Sequence, residues 1–420
     1  MKLRKQYKLG AAVLAVMMMT ALFSSCNAGW EDLESVDTSN NTSQISDAES
    51  LPKSDVSSSA ADKPVDNGST EGKLDLFAAG DNILHQMVID GGKTADGGYD
   101  YTGYYEYMAN DIQNADVAFI NQESPIGGEA LGISGYPNFN SPFEIGDNLV
   151  SLGFDVINQA NNHMLDKGAK GVTATLEFWK KYPQIAVLGI NASQEERDTT
   201  RIVERNGIKL AFLSYTYGTN GYKTPSGQEY LVNRFDKAAM KADVERAKKE
   251  ADAVVVSMHW GVEYSTTTSS EQHTYAQYLA DLGVDLVIGT HPHVIQRVNW
   301  VTGENGNKTL VYYSLGNFLS SQIDDPLRML GAVANVRFEK KDGKTTITDA
   351  KITPTICHYE TNNGVREHFK IYKLSEYTDA LAAQHGIKDF LNASFGREMT
   401  LSTMKNICRN VLGDWYTEGK

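Results

Sequence analysis

The sequence predicts an α/β domain, and three observations carry that prediction. From Leu74 onward short apolar, β-rich runs alternate with longer amphipathic stretches. The runs repeatedly end in Asp, Glu, Asn or His. No internal repeat and no P-loop points to another architecture.

Taken in chain order, residues 1–25 read as a secretory signal: Lys2, Arg4, Lys5 and Lys8 precede an apolar stretch, Leu9 to Phe23, too short to span a bilayer comfortably. Cys26 follows Ser24 and Ser25, a pattern that resembles the lipobox at which bacterial lipoproteins are cleaved and acylated. Cys26 is therefore the expected lipidation site, which implies an extracytoplasmic, membrane-anchored protein. Phe23 stands where a leucine-like residue is usual, and this leaves simple secretion or an uncleaved anchor as alternatives. Residues 26–72, rich in Ser, Asp, Asn and Thr and almost free of aromatics, read as a disordered tether.

Residues 73–375 read as the folded domain. LDLFAAG leads into Asp81, DVAFINQ into Glu123, and FDVINQA into Asn161, Asn162 and His163. Further on, AVVVSM leads into His259, DLVIGT into His291 and His293, and LVYYSL into Gly316 and Asn317. Val172 to Lys181 and Lys237 to Lys249 read as surface helices between them. Ligands of open α/β sheets gather outside the carboxyl ends of the strands, so these six endings are expected to share one crevice. VANVRFEK and TTITDAKITPTI, joined by KDGK, read as an antiparallel pair. Residues 376–420 read as a helical C-terminal extension, with Asp379 to His385 and Asp389 to Phe395 amphipathic and no chemistry assigned.

Imidazole, carboxylate and amide oxygen together suit a transition metal such as Mn, Zn or Fe, whereas a mainly oxygen set would suit calcium or magnesium. The candidate ligands are Asp81, Glu123, Asn162, His259, His291 and His293; none is a cysteine, which favours an open site over a structural zinc knot. The His-Pro-His segment at 291–293 is the sharpest signal, because residues two apart can direct both rings into one site. Asp166, three residues after His163, is placed to orient that imidazole as a general acid if a helix begins there; the competing reading is Asn161 or Asn162 as a helix N-cap. His85, four residues after Asp81 and facing the same side if a helix begins there, is a secondary candidate, as are Asn121 and Asn317. Asp90, Glu263 and Tyr264 read as solvated or packing residues.

The whole chain has 39 Lys and Arg against 53 Asp and Glu, for a net charge of −14. Without the four cations of residues 1–25, which hold no acid, the charge becomes −18. Nucleic acid is excluded as an expected partner, and an anionic polymer needs a local positive site to bind. Cys357 and Cys408 either pair in an oxidising compartment or remain free.

Together GDNIL at 80–84, NQES at 121–124, ANNHMLDKG at 160–168, HWGVEY at 259–264, GTHPH at 289–293 and SLGNF at 314–318 resemble the bacterial capsule-synthesis protein CapA family. The resemblance covers roughly residues 74–330. It implies a calcineurin-like metallophosphoesterase fold: a four-layer α-β-β-α sandwich with one or two divalent metals at the strand ends. By motif, Asp81 and His293 would hold one metal, Glu123 would bridge, and Asn162, His259 and His291 would hold the second. His163 falls on the position that resembles the catalytic histidine of the phosphoesterases. Ile83 departs from the pattern, standing where they usually carry a metal-binding histidine.

Two functions follow from the resemblance. One is a metal-dependent hydrolase or transferase in capsule or poly-γ-glutamate synthesis or export, acting on an anionic polymer or phosphoester in contact with capsule-synthesis machinery. The other is a non-catalytic, metal-mediated polymer-binding or assembly factor. A purely packing role for the motifs is the remaining alternative.

Overall fold

The strands that carry the motifs are distributed over two sheets. The computed structural model describes residues 70–391 and 396–418, so residues 1–25, Cys26 and nearly all of the tether lie outside the described residues. Along the chain the strands are β1 Gly72–Asn82, β2 Val117–Gln122, β3 Val156–Asn158, β4 Ala186–Leu188, β5 Arg201–Arg205, β6 Ile208–Thr216 and β7 Ala253–His259. They continue as β8 Leu286–Thr290, β9 Val298–Thr302, β10 Lys308–Tyr312, β11 Asn317–Leu319, β12 Leu330–Lys341, β13 Lys344–Asn362 and β14 Val365–Lys373. The α-helices are α1 Gln86–Gly91, α2 Ala109–Asn114, α3 Phe143–Leu152, α4 Gly168–Trp179, α5 Gln194–Arg197, α6 Lys237–Glu250, α7 Ser270–Leu282, α8 Asp379–Gln384 and α9 Leu401–Leu412.

The first sheet has the order β14-β13-β12-β1-β2-β3-β4, with β11 pairing β1; the second has the order β5-β6-β7-β8-β10-β9. Strands β1 to β4 run parallel, as do β6, β7, β8 and β10, and antiparallel strands occupy the flanks. Parallel strands covered on both faces need continuous apolar runs, which is how AVVVSM and LDLFAA read.

Alternation along the second sheet fixes its two faces. Leu210, Phe212, Val255, Leu286, Ile288, Leu310 and Tyr312 join the large core that also holds Leu76, Phe77 and Phe119 of the first sheet. Ala211, Leu213, Val254, Val256, Val287 and Val311 instead form a separate core with Met240 and Val244 of α6 and Ala276 and Leu279 of α7. Residues of α1 to α4, among them Val88, Ile112, Leu149 and Phe178, pack on the first sheet. The expected four-layer α/β arrangement is therefore present.

The expected β12–β13 hairpin forms, turning at Asp342 and Gly343, both with positive φ. A third antiparallel strand, β14, follows a turn at Asn363 and Gly364 with the same backbone geometry. An Asn-Gly pair between two β-rich runs is itself a hairpin signal, so this strand too is encoded locally. Helix α4 begins at Gly168 rather than Val172, and α6 at the expected Lys237, where Asp236 caps it by accepting from Ala239 N–H. Cys357 and Cys408 are both free and buried.

The C-terminal segment contains α8, a 3₁₀ turn at Gly386–Phe390, and α9. Met404, Cys408 and Leu412 of α9, four residues apart, enter the core as one stripe. The end of the expected Asp389 to Phe395 helix lies outside the described residues. Among the described residues no helix is long and apolar enough to cross a membrane.

Candidate metal centre

Strand register brings the reactive residues to one level. Asp81 on β1 is paired with Asn121 on β2 and with Asn317 on β11, and Asn121 with Asn158 on β3. In the second sheet Thr216, His259 and Thr290 align across β6, β7 and β8. Two glycines permit the close approach. A Cβ on Gly80 would meet Gly316 O at 2.1 Å, and one on Gly289 would meet Tyr313 O at 2.0 Å.

Two groups of ligand-type atoms result, each contained within 4.8 Å: Asp81, Glu123 and His293, and Glu123, His259 and His291. Glu123 belongs to both. Its Oε1 lies 3.5 Å from His259 Nε2 and 3.6 Å from His293 Nε2. Asn162 Oδ1 is 2.8 Å from the same His259 Nε2, while Thr290 Oγ1 holds His259 Nδ1 at 2.9 Å. His293 Nδ1 lies 3.2 Å from Asp81 Oδ2 and 3.0 Å from Asn317 Oδ1. Asn121 donates to Asp81 Oδ1 at 2.8 Å and itself accepts from Asn158. All six expected ligands thus converge, with Asn121 and Asn317 holding the carboxylate and imidazole in place.

The residues fit a divalent cation on grounds of unmet polarity. Glu123 Oε1 and His291 Nδ1 are buried and bonded to no donor or acceptor among the described residues. Burial, with the Asp81 charge second, pushes the Glu123 carboxyl well above the ordinary carboxylate value. Burial, with His291 second, holds His259 well below the usual imidazole value, and burial with His293 second brings His291 down to about 3. Neutral imidazoles gathered around buried carboxylates form a donor set that a cation completes. The loop that presents His291 and His293 is strained, with φ 98° and 58°, and the His291 N–H is held by Asp81 at 3.2 Å.

His163 lies beside these groups in a cleft of about 640 Å³ also lined by Asn162 and His293. Its Nδ1 is 2.7 Å from Asp166 Oδ2, and Phe139 packs edge-on against the ring at 4.6 Å. The same carboxylate oxygen accepts from Phe139 N–H at 2.8 Å. This pairing does not use the expected helical turn. Residues 161–167 form non-helical turns before α4, and neither Asn161 nor Asn162 is the N-cap, a position taken by Lys167. Asn161 instead accepts from His163 N–H and donates to Gln122 O.

His85 is likewise not on a helix shared with Asp81. Helix α1 starts after it, yet its side chain lines the cleft and packs against Phe139 at 5.4 Å. It belongs to neither group containing Glu123. Ile83 is buried and lines the cleft without offering a ligand atom. Asp90 pairs with Lys93 on the surface, but Glu263 forms a third ligand-type group with His291 and His293, and Tyr264 lines the cleft.

Two further residues reach the site from a segment that the strand-end motifs do not include. Tyr217 places its ring 4.6 Å from His291, and Asn220 accepts from Asn162 Nδ2 at 3.1 Å and lies 3.3 Å from His163 Nδ1. Both follow β6, a seventh apolar run ending in polar residues, so the same signal could have found them.

Fold and site define a two-sheet α/β protein with a candidate metal centre at its strand ends. The chain belongs to the family described as bacterial capsule synthesis protein PGA_cap, whose model matches residues 75–322. It is 34% identical over 182 residues to the PGA biosynthesis protein CapA of Bacillus subtilis (strain 168), covering 41% of this chain and 44% of that one. It is 32% identical over 208 residues to the capsule biosynthesis protein CapA of Bacillus anthracis, covering 47% of each. The chain thus spans somewhat under half the length of these relatives. Among solved structures it is similar to the calcineurin-like phosphoesterase YfkN from Bacillus subtilis, with TM-score 0.39, 15% identity, and coverage of 68% of this chain and 90% of that one.

Proposed function

We propose that this protein is a metal-dependent hydrolase or transferase acting in capsule or poly-γ-glutamate synthesis or export. In this reading it works outside the cytoplasm, anchored through a lipid on Cys26. The observation that carries the reading is Glu123, shared by two groups of ligand atoms beside a carboxylate-oriented histidine. Asp81 and His293 would hold one divalent metal, Asn162, His259 and His291 a second, and Glu123 both. A metal held there supplies Lewis acidity and lowers the pKa of bound water.

The chain's own residues do the rest. Asp166 accepts from His163 Nδ1–H, so that the ring in its doubly protonated form presents Nε2–H to a departing oxygen. Phe139 covers the ring and limits water on that side. Membership of a capsule-synthesis family and the names of the two relatives support the biological setting.

A second reading, metal-mediated polymer binding without turnover, is favoured by one observation. Ile83 leaves the Asp81 group without a further ligand. Metal analysis of the purified protein, followed by assays on phosphoesters and γ-glutamyl polymers, separates the two. Turnover that disappears in His163→Ala supports catalysis. Bound metal without turnover, together with a His163→Ala strain that still makes polymer, supports assembly.

A further inference from the structure

Two guanidinium groups reach the cleft from strands and turns beyond residue 322, outside the part of the chain that the family model matches. Arg328 stands on the 3₁₀ turn Pro326–Met329 and Arg366 near the start of β14. Among the described residues they are the only lysine or arginine side chains that line the cleft, in a protein whose net charge is −14.

Each reaches the centre by a defined chain of contacts. The Arg328 guanidinium lies 3.8 Å from the Tyr264 ring centroid, and that ring stacks on His293 at 6.0 Å. Arg366 donates to Ser321 O, and Ser321 N–H approaches His85 Nδ1 at 3.5 Å. His85 in turn packs on Phe139, which covers His163. The two cations therefore border both the ligand groups and the proposed acid.

Neither is neutralised by a buried carboxylate among the described residues. Arg366 makes no ion pair there and otherwise lies over the Phe390 and Tyr359 rings. Arg328 donates to Ile323 O at 2.8 Å, and its one carboxylate partner among the described residues is Asp324, at 3.7 Å and 41% exposed. The Nε of each arginine is buried and bonded to no acceptor among the described residues. Partly buried guanidinium groups with no buried carboxylate partner are costly, and an oxyanion offsets that cost through paired, charge-assisted hydrogen bonds. Glu263 and Asp166 also line the cleft, but Asp166 is engaged by His163 and Phe139.

We infer that Arg328 and Arg366 form an oxyanion subsite, binding a carboxylate or phosphate of the substrate other than the group that reacts near His163. The preferred substrate then carries at least two anionic groups, as a polyanion does. This inference rests on the reading of the cleft as a substrate site and specifies what enters it.

Calorimetric binding to the full chain tests it, with γ-linked triglutamate as the carboxylate probe and glycerol 3-phosphate as the phosphate probe. Each is compared with its uncharged analogue, the triglutamate amide and glycerol. At least one anionic probe should bind about tenfold or more tighter than its analogue, and which one does so identifies the oxyanion. That preference should fall to near unity in Arg328→Gln and in Arg366→Gln, with metal content unchanged. Added NaCl should weaken the anionic probe alone in the unmodified chain, a readout independent of any variant's folding. The subsite is overturned if neither anionic probe outbinds its analogue, if salt affects neither, or if the preference survives in either folded variant. No anionic preference in the unmodified chain with turnover intact sinks this inference alone; absent turnover with the preference intact sinks only the catalytic reading.

Discussion

Asp166 holds His163 through a 2.7 Å contact between Oδ2 and the imidazole Nδ1, and the same oxygen accepts the backbone N–H of Phe139. One carboxylate thus sets both the ring's tautomer and the position of the aromatic side chain that covers it. Replacing the acid and replacing its orienting partner should therefore have separable effects. His163→Ala is expected to lower kcat about 10²- to 10⁴-fold with metal content unchanged, and Asp166→Asn to lower it less while shifting the pH profile. Steady-state kinetics with parallel metal analysis distinguishes them; equal metal loss in His163→Ala would move His163 into the ligand set.

Glu123 is the residue common to both ligand groups. Glu123→Ala should remove most bound metal, whereas His259→Ala and His291→Ala should each reduce it while leaving the Asp81 group able to bind. Elemental analysis of the purified variants reads this directly. Unchanged metal in all three would contradict the assignment.

Ile83 offers the complementary gain. Its side chain is buried and lines the cleft close in sequence to Asp81. Ile83→His should raise metal retained per chain during dialysis against a weak chelator, provided the added imidazole reaches the Asp81 group. No gain in retention would mean that position 83 is not directed at that group.

Away from the centre, His385 Nε2 donates to Cys357 O at 3.0 Å, while its Nδ1 accepts from Ile387 N–H at 3.0 Å, so only the neutral ring satisfies both bonds. Burial, with His358 second, lowers its pKa to about 3 from an ordinary 6.5. Between these values the unfolded chain binds more protons, so this contribution is fully present above pH 6.5 and is lost as pH falls toward 3. A separation of one pH unit between the folded and unfolded titrations is worth about 1.4 kcal/mol. His385→Gln should flatten the dependence of Tm on pH between about 4 and 6.5. An unchanged slope would show that His385 does not drive acid sensitivity.

The sequence by itself determined which polar residues follow six of the apolar runs, because each run is local and each motif follows its own run. It also placed Asp166 beside His163 through their spacing, although turns rather than a helix close that distance. What the tertiary structure decided was nonlocal. Register across two sheets made Glu123 common to both ligand groups, and no single segment encodes that sharing. The loop after β6 brought Tyr217 and Asn220 to the centre, and the segment beyond residue 322 brought Arg328 and Arg366 to its cleft. Local periodicity sets where a side chain leaves its strand; packing of distant strands sets what it meets.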